Sequence, residues 1–279
     1  MHVFLGIDLG WTTGSTGLAL VDLDGAFVDS TTVKTDEEIA AWVEGLPAAV
    51  VVAAVDAPLI VTNPTGQRVA EREITTAFGR FKAGTHPTNL AKPGMDPPRA
   101  ARLAERFGWT KVARQGTVES PACIEVYPHP AMVALFGLAE RLRYKDKRAF
   151  TLETRQDGFA HLLDSLEGIS VLALSGNRRW EGLRRAVEGA MTRAALNRVE
   201  DELDAILCAH LAWLWQTSPG SLQVYGDPET GYIVAPPPVL VPPAAHVRPA
   251  DRIVVEIDPG CIDSVREAIA RLEGVRRIR

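Results

Sequence analysis

The side chains in this sequence that could do chemistry are aspartates placed where apolar segments end. Asp8 follows the segment VFLGI, and Asp56 follows the uncharged run AVVVAAV. If the two segments are neighbouring parallel strands, their carboxyl ends lie side by side, so the two carboxylates would face one another. Asp201 and Asp204 stand three positions apart, which places both on one face of a helix.

Carboxylates gathered at an apolar boundary favour a metal site. Like charges in such a place are costly unless a cation neutralises them, and hard oxygen ligands suit Mg²⁺ or Mn²⁺. Two such ions about 4 Å apart activate a water and stabilise the leaving oxygen when a phosphodiester is hydrolysed. Each aspartate alone could be an ordinary turn, cap or helix-surface residue, but their order along the chain is more specific. We therefore predict two metal ions held by Asp8, Asp56, Asp201 and Asp204.

The elements that must position these residues follow from the hydrophobic pattern. Three strands joined by short connections are predicted as an antiparallel meander, over residues 3–9, 16–22 and 24–33. A helix over 35–46 begins with a capping box of Thr35 and Glu38. The apolar run 49–59 is typical of a buried strand parallel to the first, and a further strand is predicted over 122–130. This order predicts an α/β, RNase H-like fold with a mixed five-stranded sheet flanked by helices.

The rest of the chain is predicted as helices, an insertion and a separate C-terminal unit. The remaining expectations are helix over 66–78, an irregular insertion over 79–118, mostly helix over 131–168, strand or buried helix over 169–174, helix over 183–216 and a hairpin over 223–236. The RNase H-like domain is thus predicted to span 1–236, and prolines predict a linker over 237–250. The strand–helix appendage over 251–279 is too short to bury its own apolar face, so we expect it to pack on the main domain or on a second copy of the chain, and we favour the homodimer contact.

Composition excludes some classes of protein. Apolar residues make up 46% of the 279 residues, and no uncharged apolar run reaches the length of about 18 residues that a membrane span needs. Three scattered cysteines without a CxxC pair argue against a zinc site, and together with the lack of a signal peptide they favour the cytoplasm. Net charge is −5, yet residues 98–198 carry 17 Lys/Arg against 11 Asp/Glu, a net +6. That region could contact a polyanion or consist of ordinary solvated helix faces.

A set of short motifs resembles a known family. The motifs are GIDLG with Asp8, VVAAVDAPL with Asp56, CIEVYPHP with Glu125, the pair Tyr144–Lys145, DELDAILCAHLAW with Asp201 and Asp204, and YGDPETGYIV near residue 230. In this order, over about residues 2–236, they resemble domain of unknown function family 429, regarded as predicted RNase H-like nucleases. The helix motif is also similar to the end of RuvC-type resolvases, where an Asp pair closes the metal site. The resemblance implies an RNase H fold and metal-dependent nuclease activity. It departs from RNase H enzymes at Asp56, where a Glu is usual.

Further residues could act around the carboxylates. Glu125, near the end of a strand parallel to the first, could be a further catalytic ligand, could orient a water, or could simply bond to backbone N–H groups. His129, in a proline-containing loop, could donate to a phosphate or exchange a proton, although loop histidines are often bystanders. Lys145, Arg148 and Arg68 could hold phosphate oxygens.

A tryptophan at the predicted metal-site turn is a candidate for contact with a nucleobase. Trp11 lies in the Gly/Thr/Ser-rich stretch after Asp8, where its ring could stack a base or pack as part of the core or a lid.

Three functions are compatible with these features. We predict a nuclease that hydrolyses phosphodiester bonds of nucleic acid with Mg²⁺ or Mn²⁺. The alternative is a catalytically silent module on the same fold that binds nucleic acid or protein, because a fold does not determine a function. The stretch after Asp8 also resembles the phosphate loop of sugar kinases and actin, which use two such domains. Only IDPG at 257–260 echoes the second loop, and too few residues follow it for a second domain, so an ATP-binding protein is the third choice.

Overall fold

Five strands form one mixed sheet in the computed structural model, which describes residues 2–10, 14–111 and 121–239. The strands are β1 (His2–Asp8), β2 (Thr16–Val21), β3 (Phe27–Val33), β4 (Ala49–Val55) and β5 (Ala122–Glu125). Their order across the sheet is β3-β2-β1-β4-β5, with β1, β2 and β3 antiparallel and with β4 and β5 parallel to β1. The predicted α/β fold with a mixed five-stranded sheet is confirmed, and this strand order is compatible with the predicted RNase H-like arrangement.

Helices cover both faces of this sheet. They are α1 (Asp36–Glu44), α2 (Val69–Phe78), α3 (Arg99–Arg106), α4 (Pro128–Leu135), α5 (Leu152–Glu167), α6 (Arg178–Glu188) and α7 (Arg193–Thr217). The helix α1 starts at the predicted capping box, in which the Thr35 hydroxyl accepts from the Glu38 N–H and Glu38 accepts from the Thr35 N–H. The predicted hairpin is also present as β6 (Gln223–Asp227) and β7 (Gly231–Ala235).

Several boundaries differ from the sequence-based expectation. The stretch 183–216 belongs to two helices, because Gly189 ends α6 and Thr192 caps the start of α7. Residues 131–168 are interrupted between α4 and α5, and 169–174 contain a short 3-10 turn over Ser170–Leu172. The insertion over 79–118 is not wholly irregular, since it contains α3 and a 3-10 turn over Gly79–Phe81.

The sheet separates two hydrophobic layers. On one face, alternate residues of the strands, such as Phe4 and Val52, pack against α7 and its neighbouring helices. On the other face, Leu5 and its neighbours pack against Ile39 of α1 and Leu103 of α3. Burial on both sides explains why β1 and β4 read as continuous apolar runs, a pattern typical of parallel strands.

Helix α7 lies unusually close to the sheet, and two glycines make this possible. A Cβ atom on Gly6 would lie 2.0 Å from the carbonyl oxygen of Ala205, and one on Gly17 would lie 1.9 Å from that of Asp201. Both distances are far shorter than a van der Waals contact, so neither position accepts a side chain without displacement of the helix. The absence of side chains here lets the acidic turn of α7 approach the end of β1.

Some predictions concern residues outside the described ranges. They are Trp11, part of the insertion, Cys261, most of the linker and the whole 251–279 appendage with its expected dimer contact. Cys123 and Cys208 are buried and free, as expected of small apolar residues. Among the described helices, none combines the length and hydrophobicity needed to span a membrane.

Candidate active site

Two of the predicted carboxylates lie at adjacent strand ends. Asp8 is the last residue of β1, and Asp56 directly follows β4. The parallel register pairs Ile7 with Val55, and the Asp56 N–H continues the ladder by donating to the Ile7 carbonyl at 2.8 Å. The two carboxylates therefore occupy neighbouring positions at the carboxyl edge of the sheet, where ligands bind in open α/β sheets.

Helix α7 brings the second pair of carboxylates to this edge. Asp204 is fully buried, and its Oδ1 atom accepts a hydrogen bond from the Tyr144 hydroxyl at 2.8 Å. Asp201, one turn earlier and partly exposed, accepts a hydrogen bond from the Ser15 hydroxyl. The Gly/Thr/Ser-rich turn after β1 thus supplies a hydroxyl that orients a carboxylate of α7.

The ammonium group of Lys145 lies where these carboxylates converge. Its Nζ atom is 3.6 Å from Asp8 Oδ2 and 3.5 Å from Glu200 Oε1, and it contacts Asp204 Oδ2 directly. Neither Asp8 Oδ2 nor Asp204 Oδ2 accepts a hydrogen bond within the described residues, although both are buried. Lys145, which the sequence suggested as a phosphate contact, is here the counter-ion of the acidic cluster.

One member of the cluster was not predicted. Glu200 lies one position before Asp201 and one turn of helix before Asp204, so it shares their side of α7. Its Oε2 atom accepts a hydrogen bond from Arg155 at 2.9 Å. The only sequence signal was the EDELD run, in which a third helical acid is easily read as a solvated charge.

We call the cluster of these carboxylates the acidic site; its members are Asp8, Asp56, Glu200, Asp201 and Asp204. Several of them have pKa values that differ from the ordinary values of Asp and Glu. Burial raises the pKa of Asp8 well above its ordinary value and raises that of Asp56 to about 7, and Lys145 only partly opposes both shifts. Burial likewise raises the pKa values of Glu200 and Asp201. Burial lowers the pKa of Lys145, but Asp204 and Asp8 more than compensate, so the ammonium form is retained.

A buried arginine holds the segment that carries Lys145. Arg155 of α5 is fully buried and donates from Nε to the Tyr144 carbonyl at 2.6 Å and from Nη1 to the Arg193 carbonyl at 3.3 Å. Together with its bond to Glu200, this ties the chain around Tyr144 to α7. Part of the positive charge of the middle region is therefore internal, and Arg193 likewise pairs with Asp146.

Glu125 and Arg68 are paired with each other. The guanidinium group of Arg68 donates to both Glu125 carboxylate oxygens, at 2.8 and 2.5 Å, and to Glu71 Oε1 at 2.9 Å. Glu125 also accepts from the Leu59 N–H at 2.9 Å, and Glu71 accepts from the Arg68 and Thr88 N–H groups. Arg68, Glu71 and Glu125 are buried and satisfy one another's hydrogen bonds. In this geometry they stabilise the wall of the site and are not free to bind a metal ion.

The acidic site opens into a cavity of about 650 Å³. Its wall includes Asp8, Asp56, Glu125, Arg68, Lys145, Glu200 and Asp201. Asp204 lies behind this wall and is fully buried. His129 is a buried residue in the first turn of α4, not a loop residue, and it lines a smaller adjoining cavity. Arg148 is exposed and lies outside both cavity walls, and Trp11 is outside the described residues.

The donor set fits a hard divalent cation in its chemistry, although the side chains are not grouped for one. The available donors are carboxylate oxygens, which suit Mg²⁺ or Mn²⁺, and two buried oxygens lack hydrogen bonds. No three His, Cys, Asp or Glu side chains among the described residues are arranged to hold a metal ion. The cation that the described structure places against these carboxylates is the ammonium group of Lys145, which contacts Asp8, Glu200 and Asp204.

Comparison with known proteins places the chain in a family. The model of the family described as "Protein of unknown function (DUF429)" matches residues 6–230, so the chain belongs to that family. No curated protein matches the chain. Among solved structures, it is similar to the "Lmo2764 protein, a putative N-acetylmannosamine kinase, from Listeria monocytogenes", at 14% identity over 76% of this chain and 78% of that one. The TM-score is 0.23, which carries no argument about function.

Proposed function

We propose that this protein is a metal-dependent hydrolase of phosphodiester bonds in nucleic acid, with the acidic site as its catalytic centre. The observation that carries the proposal is the excess of carboxylates over cations at one buried point. Among the described residues, Lys145 is the one ammonium that contacts Asp8, Asp204 and Glu200 together, and Asp56 and Asp201 add two more carboxylates nearby.

Such an excess has two ways to be neutralised. The carboxyl groups can take up protons, as the raised pKa values of Asp8 and Asp56 indicate for the metal-free protein. Alternatively, a divalent cation can bind and keep them ionised, since buried charges can be compensated by metal coordination and carboxylate oxygens are ligands that Mg²⁺ accepts. The Oδ2 atoms of Asp8 and Asp204 favour the second solution, because within the described residues their contact is the ammonium group of Lys145, a cation, and neither accepts a hydrogen bond.

Each residue has a distinct task under this proposal. Asp8, Asp56, Asp201 and Asp204 would hold one or two Mg²⁺ or Mn²⁺ ions, and the hydroxyls of Tyr144 and Ser15 orient two of these carboxylates. The cations would supply stabilisation of the charge that develops on phosphoryl oxygens. Lys145 has to move away from the carboxylates as the cation binds, and its ammonium group then becomes available to a phosphate oxygen.

Nucleic acid is the proposed partner because of the charges around the opening. Arg99 and Arg102 of α3 lie in the wall of the cavity together with Lys145. Arg99 is already paired with Asp36, at 2.7 Å from its Nε atom, whereas Arg102 bonds to a backbone carbonyl and keeps its charge unpaired within the described residues. A phosphate backbone neutralised by such side chains binds less tightly as salt increases.

The test is cleavage of labelled single- and double-stranded DNA and RNA with MnCl₂ or MgCl₂ and with EDTA. We expect cleavage that requires the metal, that is lost in Asp204→Asn and that is retained in Asp157→Asn, since Asp157 is an exposed acid of α5. Equal cleavage by wild type and Asp204→Asn would indicate a contaminating nuclease and refute the proposal. Salt-dependent binding of nucleic acid without any cleavage would favour the silent binding module instead.

A further inference from the structure

A second cavity adjoins the acidic site and has several basic side chains in its wall in addition to acidic ones. It has a volume of about 290 Å³ and shares Asp56, Lys145 and Glu200 with the main cavity. Besides Asp146, which is paired with Arg193, its wall includes four basic residues, Arg141, Lys147, His86 and His129, of which His86 also lines the main cavity. We call these four residues the basic wall.

We propose that the basic wall is a binding subsite for a terminal phosphate monoester of the substrate, an inference that rests on the proposed hydrolase function. Two cations of the basic wall, Arg141 and Lys147, lack an ion-pair partner among the described residues. Of the three acids that face the same cavity, Asp56 would hold the cation of the acidic site under the proposed function, and the other two already have cationic partners. Asp146 is paired with Arg193, and Glu200 with Arg155.

Two unpaired cations in one small cavity call for two negative charges. A phosphate monoester carries a charge between −1.5 and −2 at neutral pH, whereas each internal diester of a nucleic acid carries one negative charge. Arg141 and Lys147 are also close enough to repel each other, since Lys147 has a pKa lowered first by desolvation and then by Arg141 and Lys145. A dianion between them would remove this repulsion and bring several charge-assisted hydrogen bonds.

A buried histidine supplies an independent indication of a ligand. His129 is 7% exposed, and its Nδ1 atom is buried without a hydrogen-bond partner among the described residues. Burial lowers the pKa of His129 well below its ordinary value, and Lys145, Arg141, Lys147 and His86 lower it further. The imidazole is therefore neutral, and it lies near several cations without adding to their charge. A neutral imidazole can donate one hydrogen bond to an anion.

The position of the subsite connects it with the chemistry. Because the two cavities share Asp56, Lys145 and Glu200, a phosphate on the basic wall lies beside the acidic site. A substrate end bound there would place the neighbouring diester at the carboxylates. The inference thus adds a preference for strands that end in a phosphate, which the acidic site alone does not require.

The first experiment measures binding of inorganic phosphate to the full chain in EDTA by titration calorimetry, at constant ionic strength. We expect saturable binding that weakens by about tenfold or more in Arg141→Gln/Lys147→Gln, since charge-assisted hydrogen bonds are lost. The control Arg148→Gln removes an exposed cation from the same segment outside the cavity and should bind as wild type does. No saturable binding by wild type, or equal loss in Arg148→Gln, would overturn the inference.

The second experiment compares oligonucleotides with a terminal phosphate or a terminal hydroxyl. We expect the phosphate to lower KM in wild type, and we expect this advantage to disappear in Arg141→Gln/Lys147→Gln with kcat little changed. No advantage in wild type would refute a terminal-phosphate subsite. Failure of the hydrolase proposal is distinguishable, because phosphate binding in EDTA requires neither a metal nor turnover.

Discussion

Replacement of Lys145 by Met tests whether its ammonium group is the counter-ion of the acidic site. Met keeps most of the side-chain volume but removes the charge that contacts Asp8, Asp204 and Glu200. Removal of one partner of a buried ion pair typically costs about 3–5 kcal/mol, because the other partner stays buried without compensation. The Lys145 side chain is 23% exposed, whereas that of Asp204 is completely buried. We therefore expect the lower end of that range, about 3 kcal/mol at pH 8 in EDTA.

A divalent cation should reverse this loss. In Lys145→Met the carboxylates no longer share their space with an ammonium group, so Mn²⁺ should bind more tightly than to wild type. A ligand present at about 100 times its Kd stabilises the folded state by about 2.7 kcal/mol. Saturating Mn²⁺ should therefore restore most of the stability of Lys145→Met and add less to that of wild type.

The assay is urea unfolding followed by circular dichroism, with EDTA or with MnCl₂. The control variant Lys82→Met breaks an ion pair with Glu140 in which the Lys82 side chain is 64% exposed. Exposed pairs contribute about 0–1 kcal/mol, so the control should change little and should not respond to Mn²⁺. Wild-type stability of Lys145→Met in EDTA, or a loss that Mn²⁺ leaves unchanged, would show that the ammonium group does not occupy a cation position.

Three more outcomes are expected. Asp56→Asn should unfold at or above the wild-type urea midpoint in EDTA, because burial of the Asp56 charge is unfavourable. Its Mn²⁺-dependent cleavage should fall by about 100-fold or more. A variant that is less stable than wild type would contradict this prediction. Gly17→Ala should lower the free energy of unfolding by about 3 kcal/mol and weaken Mn²⁺ binding, because its Cβ would lie 1.9 Å from the Asp201 carbonyl. The control Gly182→Ala places its Cβ in open space on α6 and should not destabilise the protein. Burial lowers the pKa of His210 to about 4 from 6.5, so the unfolded state binds its proton first on acidification. The free energy of unfolding of wild type should therefore fall by about 2 kcal/mol between pH 7 and pH 5 because of this group. An equal fall in His210→Gln would contradict this prediction.

Much of the sheet could be predicted because its pattern is local. The turn after β2, the capping box at Thr35 and the apolar runs of β1 and β4 are each set by neighbouring residues. The positions of Asp8 and Asp56 at one edge then follow from parallel pairing. Errors concentrate where boundaries depend on tertiary contacts, as at the break between α6 and α7 around Gly189.

The roles of individual side chains were harder to predict than their location. Lys145 meets both Asp8 and Glu200 only because α7 and the segment after Tyr144 pack together, which no sequence period encodes. Glu125 likewise was a plausible free ligand until its partner Arg68, 57 positions earlier, was located. Long-range pairs of this kind decide which buried charges remain available for chemistry.

Electron paramagnetic resonance of Mn²⁺ tests the central claim most directly, because it counts free ions in the presence of the protein. Wild type at pH 8 should bind Mn²⁺ with a saturable stoichiometry of one or two ions, and Asp8→Asn/Asp204→Asn should bind none at the same concentration while remaining folded by circular dichroism. The control Asp157→Asn, which changes an exposed acid, should bind as wild type does. Unchanged Mn²⁺ binding in Asp8→Asn/Asp204→Asn, or no binding by wild type, would contradict a metal-dependent function for the acidic site.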